Sequence, residues 1–383
     1  MRHVTDDERR ARLAVRHGLV PGARAADVAA ATSAMTVLHA TEPATPYLSA
    51  WARVDGFVRA DLDRAVEVDR TLVKQLAMRR TLFLHPRELL PAAWGSASAR
   101  VAATERSRVV KDVVVEGLAA DGEAWWAAVR ADVLALLAEH PAGLTAAELR
   151  AAVPALGGSL FTGRVLTGLG AEARVVRGTN TQHWRVSRPR WTLLEHWLDE
   201  VPAPLPPAEG YAALVRRWLW SFGPGTEADL VWWLGATKGA VRAALAAVGA
   251  VPVGLDGGGA GWLLPEDLDP VVGPEDWVAL LPVLDATVMG WKERGWYLGP
   301  HAPALFDRNG NAGTTAWWNG RVVGCWVQDA TGAVAVRLVE DVPVAVRARL
   351  DVEAARLSGW LAGERVGTVY PSPAMRPALE ESP

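Results

Sequence analysis

Thr145-Ala146-Ala147-Glu148 and Thr226-Glu227-Ala228-Asp229 decide the fold. Each sets a hydroxyl three positions ahead of a carboxylate, the reciprocal arrangement that caps the first turn of a helix. Each follows a helix breaker, Pro141-Ala142-Gly143 in one case and Gly223-Pro224-Gly225 in the other. The two threonines lie 81 residues apart, as do Glu148 and Asp229, so the pattern is an internal repeat. In the first copy a helix over 125–139 leads to the capped helix, which runs to Val153, and a third helix spans 161–169. Arg174-Val175-Val176-Arg177, the turn Gly178-Thr179-Asn180 and the strand 182–186 then form a hairpin. The second copy has helices over 211–221, 226–234 and 237–248. Strands at 251–255 and 262–264 flank its glycine-rich turn at 256–261. Three helices and a two-stranded wing make the winged form of helix-turn-helix. The alternative is a plain helical bundle with a stray hairpin.

Residues 1–110 fit a looser third copy, with helices near 5–17, 25–37 and 59–67 and extended runs at 71–76 and 80–84. The proline-rich stretch 201–207 cannot lie inside a helix and reads as a linker. From about residue 271 short strands alternate with glycine turns, at 277–284, 296–298, 313–318, 321–328 and 333–339. Asn319-Gly320 is a two-residue hairpin turn, a helix over 344–361 closes the sheet, and the last dozen residues read as a loose tail. The expected class is α+β: three tandem winged-helix modules followed by a small C-terminal antiparallel β-barrel or sheet. The expected boundaries are 1–115, 116–200, 201–270 and 271–383.

Of the 383 residues half are hydrophobic and 22% charged, a composition that buries a core rather than staying disordered. The single cysteine, Cys325, excludes an intrachain disulfide and a multi-thiolate zinc site. Neither a signal-peptide core nor an apolar run long enough to span a bilayer is present, and we expect a soluble, cytoplasmic protein with no membrane partner. The eight histidines show no i, i+4 pair, and Gly257 to Gly261 lacks the Lys-Ser/Thr of a phosphate loop. No metal and no cofactor are therefore expected.

The net charge of −3 conceals an asymmetry. Residues 1–190 carry 26 basic and 20 acidic side chains, residues 70–111 carry 9 and 2, and residues 164–190 carry 6 and 1. These basic stretches suit DNA phosphates, with Lys74, Arg79, Arg80, Arg106, Arg108, Lys111, Arg164, Arg177, Arg185 and Arg188 as candidate contacts. The arginine bias among the basic residues also fits a GC-rich genome. At Leu38-His39-Ala40-Thr41-Glu42-Pro43 a helix ends and the proline forces extended chain, where residues 39 and 41 share a side. An imidazole beside a hydroxyl can hold a water or a sugar oxygen. Alternatively His39 satisfies a nearby carbonyl and Thr41 caps the next helix.

Taken together, Leu38 to Pro43, Arg79-Arg80-Thr81-Leu82-Phe83-Leu84-His85, Phe222 to Asp229, Leu280 to Trp291 and Phe306 to Gly313 resemble the bacterial winged-helix DNA glycosylases of the AlkZ and YcaQ-like family. The resemblance implies tandem winged helices and a C-terminal barrel around a basic channel. It also implies hydrolysis of the N-glycosidic bond of alkylated or bulky purines in double-stranded DNA, and unhooking of interstrand crosslinks. The family's Gln-x-Gln or Gln-x-Asp motif falls on His39-Ala40-Thr41, making His39 and Thr41 the implied catalytic pair. Because both positions differ from the family motif, a noncatalytic DNA-binding protein, a damage sensor or a transcription regulator, is the alternative. Glu42, Asp285, Trp291 and Arg294 are candidate pocket residues, an Asp–Arg pair stabilising a turn being the other reading of the last three. Of the 19 tryptophans, the adjacent pairs at 125–126, 232–233 and 317–318 can each place one ring in a core.

Overall fold

Leu144 and Gly225, each one residue ahead of a capping threonine, make the same contact: Leu144 bridges Trp191 and Gly225 bridges Trp262. In the computed structural model, which describes residues 1–376, both capping boxes are formed. The first copy runs through helices Gly122–Ala138, Ala146–Ala152 and Ser159–Ala171 into strands Val175–Asn180 and Pro189–Leu193. The second runs through Pro207–Phe222, Glu227–Leu234 and Lys238–Ala247 into Val251–Leu255 and Ala260–Leu263. Every predicted helix of both copies is present. The second strand of the first hairpin is not at 182–186 but at Pro189–Leu193, because strand Val175–Asn180 continues through the expected turn and 181–188 becomes the loop.

The same path occurs nearer the N-terminus: helix Val28–Ala34, strand Leu38–His39, helix Thr45–Trp51, the helical stretch from Arg59 to Val68, and strands Leu72–Leu76 and Leu82–Pro86. Here Leu38 and His39 pair with Leu84 and Phe83 of the second hairpin strand, which in turn pairs with the first. His39 therefore occupies the place that Leu144 and Gly225 hold in the other copies. The path begins at Val28, capped by Asp27, and not at the helix Asp6–Arg16. That helix is an addition whose leading strand, His3–Val4, lies parallel to Gly254 and Leu255. A second departure is the long helical run from Leu90 to Val115, which passes from α through a π turn back to α and carries the C-terminal part of the basic stretch 70–111.

Beyond residue 271 four strands form an antiparallel sheet in the order Val334–Leu338, Arg321–Gln328, Thr315–Trp318, Val278–Leu281. Its outer strands do not pair, so the sheet is open and no barrel closes. Helix Val344–Leu361 packs on both outer strands through Val346, Leu350, Ala354, Leu357 and Leu361, spaced by one helical turn. The predicted strand 296–298 is instead a helical turn, Gly295–Leu298. Asn319 and Gly320 both have positive φ, as their hairpin turn requires. Part of the expected loose tail is docked: Ser372 is buried, and Met375 Sδ accepts from the Thr314 amide; residues 377–383 lie outside the described residues. The linker is docked as well, its Leu205 amide donating to Pro91 O. No helix among the described residues is long and apolar enough to cross a membrane.

Two main cores result. One joins the N-terminal path, the helix Pro207–Phe222 and the C-terminal sheet; the other lies within 109–193, and a smaller cluster joins Val73 and Trp94 to Val176 and Trp197.

Candidate active site and nucleic-acid interface

Strand pairing fixes the His39 backbone opposite Phe83, with the Ala40 amide donating to Leu82 O at 2.9 Å. The His39 ring leans on the Phe83 ring at 4.6 Å between centroids, is 4% exposed, and has no hydrogen-bond partner at either nitrogen. Buried polar atoms are ordinarily paired, so two unpaired nitrogens on one ring set this histidine apart. Burial, and secondarily the nearby Arg79 guanidinium, push its pKa down to about 3 against a smaller opposing pull from Asp285. The imidazole is therefore neutral at physiological pH.

Thr41 is exposed, so the structure does not bring the two expected partners together. Pairing stops at Ala40 and the chain bends at Thr41 and Glu42, which breaks the alternation of an extended strand. Neither residue follows the simpler alternative, since His39 meets no carbonyl and the helix Thr45–Trp51 starts at Ala44 without a side-chain cap. Glu42 is half-buried, its Oε1 accepting from Thr368 Oγ1 and the Val369 amide at 2.9 and 2.8 Å.

Asp285 is fully buried and pairs not with Arg294 but with Arg53, whose two terminal nitrogens reach its two oxygens at 2.9 and 2.7 Å. Ser49 Oγ and the Thr287 amide complete its shell. Burial alone would raise the Asp285 pKa, but Arg53 and these donors hold it below the usual carboxylate range. The pair fastens the helix that follows the His39 segment to the C-terminal half. Sequence spacing gave no sign of Arg53, because its partner is 232 residues away. Trp291 is likewise a core residue, donating from Nε1 to Phe222 O and packing edge-on to Phe222 and Trp296. Gly290 beside it is required by this packing, since a Cβ there would lie 2.5 Å from Phe222 Cδ1.

Arg294 stacks over Trp232 and Phe306, and Arg79 stacks over the same Trp232 at 4.0 Å from its centroid. Arg79 Nε and Nη2 are buried without partners, and burial followed by Arg294 lowers the guanidinium pKa to about 10, which leaves it charged. The remaining basic candidates separate into three groups. Arg80 and Arg108 both pair with the buried Glu105, Arg106 with Glu123, Arg164 with Asp112, and Arg185 with Glu364. Lys74 and Arg177 are half-buried, with burial lowering the pKa of each. Lys111 and Arg188 are exposed and have no ion-pair partner among the described residues. In each tryptophan pair one ring is buried, at 126, 233 and 317. Trp184 is buried between Tyr47 and Trp360, not presented on a wing tip.

Among the described residues no group of three or more His, Cys, Asp or Glu side chains is placed to hold a metal ion. Cys325 is buried, and burial raises its thiol pKa to about 11.

The family model for AlkZ-like DNA glycosylases matches residues 32–360. No curated protein matches the chain at the sequence level. In fold the chain is similar to the DNA glycosylase AlkZ of Streptomyces sahachiroi, at a TM-score of 0.75 and 20% identity, over 94% of this chain and 98% of that one.

Proposed function

Because the chain belongs to the AlkZ-like DNA glycosylase family, and is thereby an N-glycosyl hydrolase acting on DNA, we propose that it removes alkylated or bulky purine adducts from duplex DNA, with residues 38–42 at the reaction centre. The observation that carries this reading is His39: a strand-held, neutral imidazole with two unpaired nitrogens, in the segment on which the resemblance places the family motif. Its task in this reading is to hold the attacking water or the deoxyribose oxygen, while the exposed Thr41 supplies a second hydrogen bond once DNA is seated. An alkylated purine is already a good leaving group, so positioning and electrostatic support are the main demands on the protein. The three helix–bridge–helix–helix–hairpin paths act as winged-helix modules, divided near 115, 200 and 270, with the exposed Lys111 and Arg188 as the readiest phosphate contacts and Arg79 set deeper beside Trp232. Unhooking of interstrand crosslinks and action as a nucleoid-associated monomer belong to the same proposal.

Single-turnover excision from duplex DNA carrying N7-methylguanine tests it. His39→Ala should slow excision roughly 10²-fold or more with DNA affinity unchanged. With a pKa near 3 rather than the ordinary 6.5, the wild-type rate should be flat between about pH 5 and 8 instead of rising through the histidine range. Equal rates for the two proteins would remove His39 from the reaction.

A further inference from the structure

Three parts of the chain meet at Trp232, in the helix Glu227–Leu234. The turn between strands Leu72–Leu76 and Leu82–Pro86 brings the Arg79 guanidinium to 4.0 Å from its ring centroid, and the segment after strand Val278–Leu281 brings that of Arg294 to 4.9 Å. The turn is built at a cost. Arg79 and Arg80 have φ of 55° and 61°, a conformation in which glycine or asparagine is usual. Gly235, itself left-handed, leaves room for the approach, since a Cβ there would lie 3.2 Å from Arg79 Cγ.

Two like charges are thus held on one indole, and no counter-ion is held with them. Arg294 donates from Nε to Trp291 O at 2.7 Å, Arg79 Nε and Nη2 are buried without partners, and neither guanidinium forms an ion pair among the described residues. The contrast with other arginines is sharp: Arg53 faces the buried Asp285, and Arg80, next in the chain, pairs with Glu105. Only burial and Arg294 act on the Arg79 pKa, and both lower it. The face of Trp232 attracts a cation but offers no lone pair to its N–H groups. Two guanidiniums with free donors and no carboxylate complement an oxyanion. Their position ties them to His39. Strand Leu82–Pro86 begins three residues past Arg79 and sets Phe83 opposite His39, and Arg79 is the charge that, after burial, does most to keep that imidazole neutral.

We propose that Arg79 and Arg294, braced on Trp232, form an oxyanion site that grips the DNA phosphodiester flanking the nucleotide held at His39. Arg79 supplies the fork of N–H donors and Arg294 the second charge. Fixing that phosphate fixes the attached sugar against the His39 strand, a positioning role. The proposal rests on the glycosylase reading in taking DNA as the source of the phosphate.

Affinity of the full-length protein for a duplex carrying a stable abasic residue, with a neutral methylphosphonate replacing one phosphate at a time, tests the site without reference to excision. The wild-type protein should lose about tenfold at a phosphate flanking the abasic residue, the size of one charge-assisted contact. That scan alters only the DNA, so it stands whether or not a variant folds. Arg79→Ala should lose about tenfold on the unmodified duplex and nothing further at that phosphate, because both changes remove the same contact. Arg294→Ala should be non-additive with the same phosphate. Arg79→Lys keeps the charge but not the fork and should recover only part of the loss. A wild-type scan in which no flanking phosphate matters, or losses that simply add in Arg79→Ala, would overturn the proposal. Inorganic phosphate that binds through Arg79 while no DNA phosphate is coupled to it would also overturn it, by making the ligand a free anion. Excision that persists without a coupled phosphate would reject the site and leave the glycosylase reading standing. A coupled phosphate in a protein that excises nothing would do the reverse.

Discussion

Residues 28–86 and 122–193 follow the same path of helix, bridging residue, two helices and hairpin, yet they are filled differently. Between 122 and 193 the buried polar side chains are Thr162 and Thr192, and the main core takes only Val109 and Val113 from outside, while Val176 and Trp184 pack against neighbouring chain. Between 28 and 86 they are Thr32, Thr36, His39, Thr45, Ser49, Arg53, Gln75 and His85. Five of these bond to distant chain: Thr36 to Arg217 O and Ser221, Thr45 to Val283 O, Ser49 and Arg53 to Asp285, and Gln75 to Gly170 O. One copy is filled mainly by its own apolar core, and the other is interlocked with the rest of the molecule through buried polar side chains. Of the two copies, the interlocked one carries the groups whose pKa values depart further from ordinary, His39 and His85 among them, as functional sites commonly do.

The largest effect that follows is at Arg53. Arg53→Ala leaves Asp285 buried without its cation, and removal of one partner of a buried pair costs about 3–5 kcal/mol. Chemical denaturation should show that loss, and Asp285→Ala should match it. A loss below about 1 kcal/mol would mean that the interlock is incidental.

Acid should separate the two regions next. His17, His39 and His85 are buried, and burial lowers their pKa values to about 3, 3 and 4. Each takes up a proton in the unfolded chain below about pH 6.5 but not in the folded protein until far lower pH, so stability is full above that value and falls as pH drops. From pH 8 to 6 the three together should remove roughly 2–3 kcal/mol. Hydrogen exchange should report early loss of protection in 28–86, which holds His39 and His85, and in the helix Asp6–Arg16 that His17 ends. Peptides from 122–193, whose His140 and His183 are exposed, should hold their protection longer. Uniform loss across both regions would erase the distinction.

The self-contained copy was also the one most open to sequence reading. Its capping box, its glycine break and the 81-residue offset are local signals, and so are Asn319-Gly320 and the helix Val344–Leu361, which the structure reproduces residue for residue. What escaped depends on contacts between remote residues. His3 pairs with Gly254, and Asp285 finds Arg53 rather than the neighbouring Arg294. The turn at Gly295–Leu298 is packed by Trp291 and Trp317 around Tyr297, and propensity alone reads those aromatics as a strand. At the candidate site the sequence located His39 but not its burial. The alternation that would have set Thr41 beside it requires the strand to continue, and pairing ends at Ala40.

The smallest effect bears on the capping boxes themselves. Thr226 is buried, and the carboxylate it faces, Asp229, also accepts from the Lys292 and Glu293 amides at 2.8 Å. The cap there is fastened to the C-terminal half, and Thr226→Ala should cost about 2 kcal/mol, the upper end for an N-cap threonine. Thr145 is only half-buried, and its hydroxyl meets nothing beyond Glu148 at the start of the same helix. Thr145→Ala should therefore cost about 1 kcal/mol by denaturant titration, the ordinary value for a cap that serves its own helix. If the two substitutions cost the same, the docking of Asp229 adds nothing to its cap. If Thr145→Ala costs more, the 122–193 copy is not the self-contained unit that its apolar core implies.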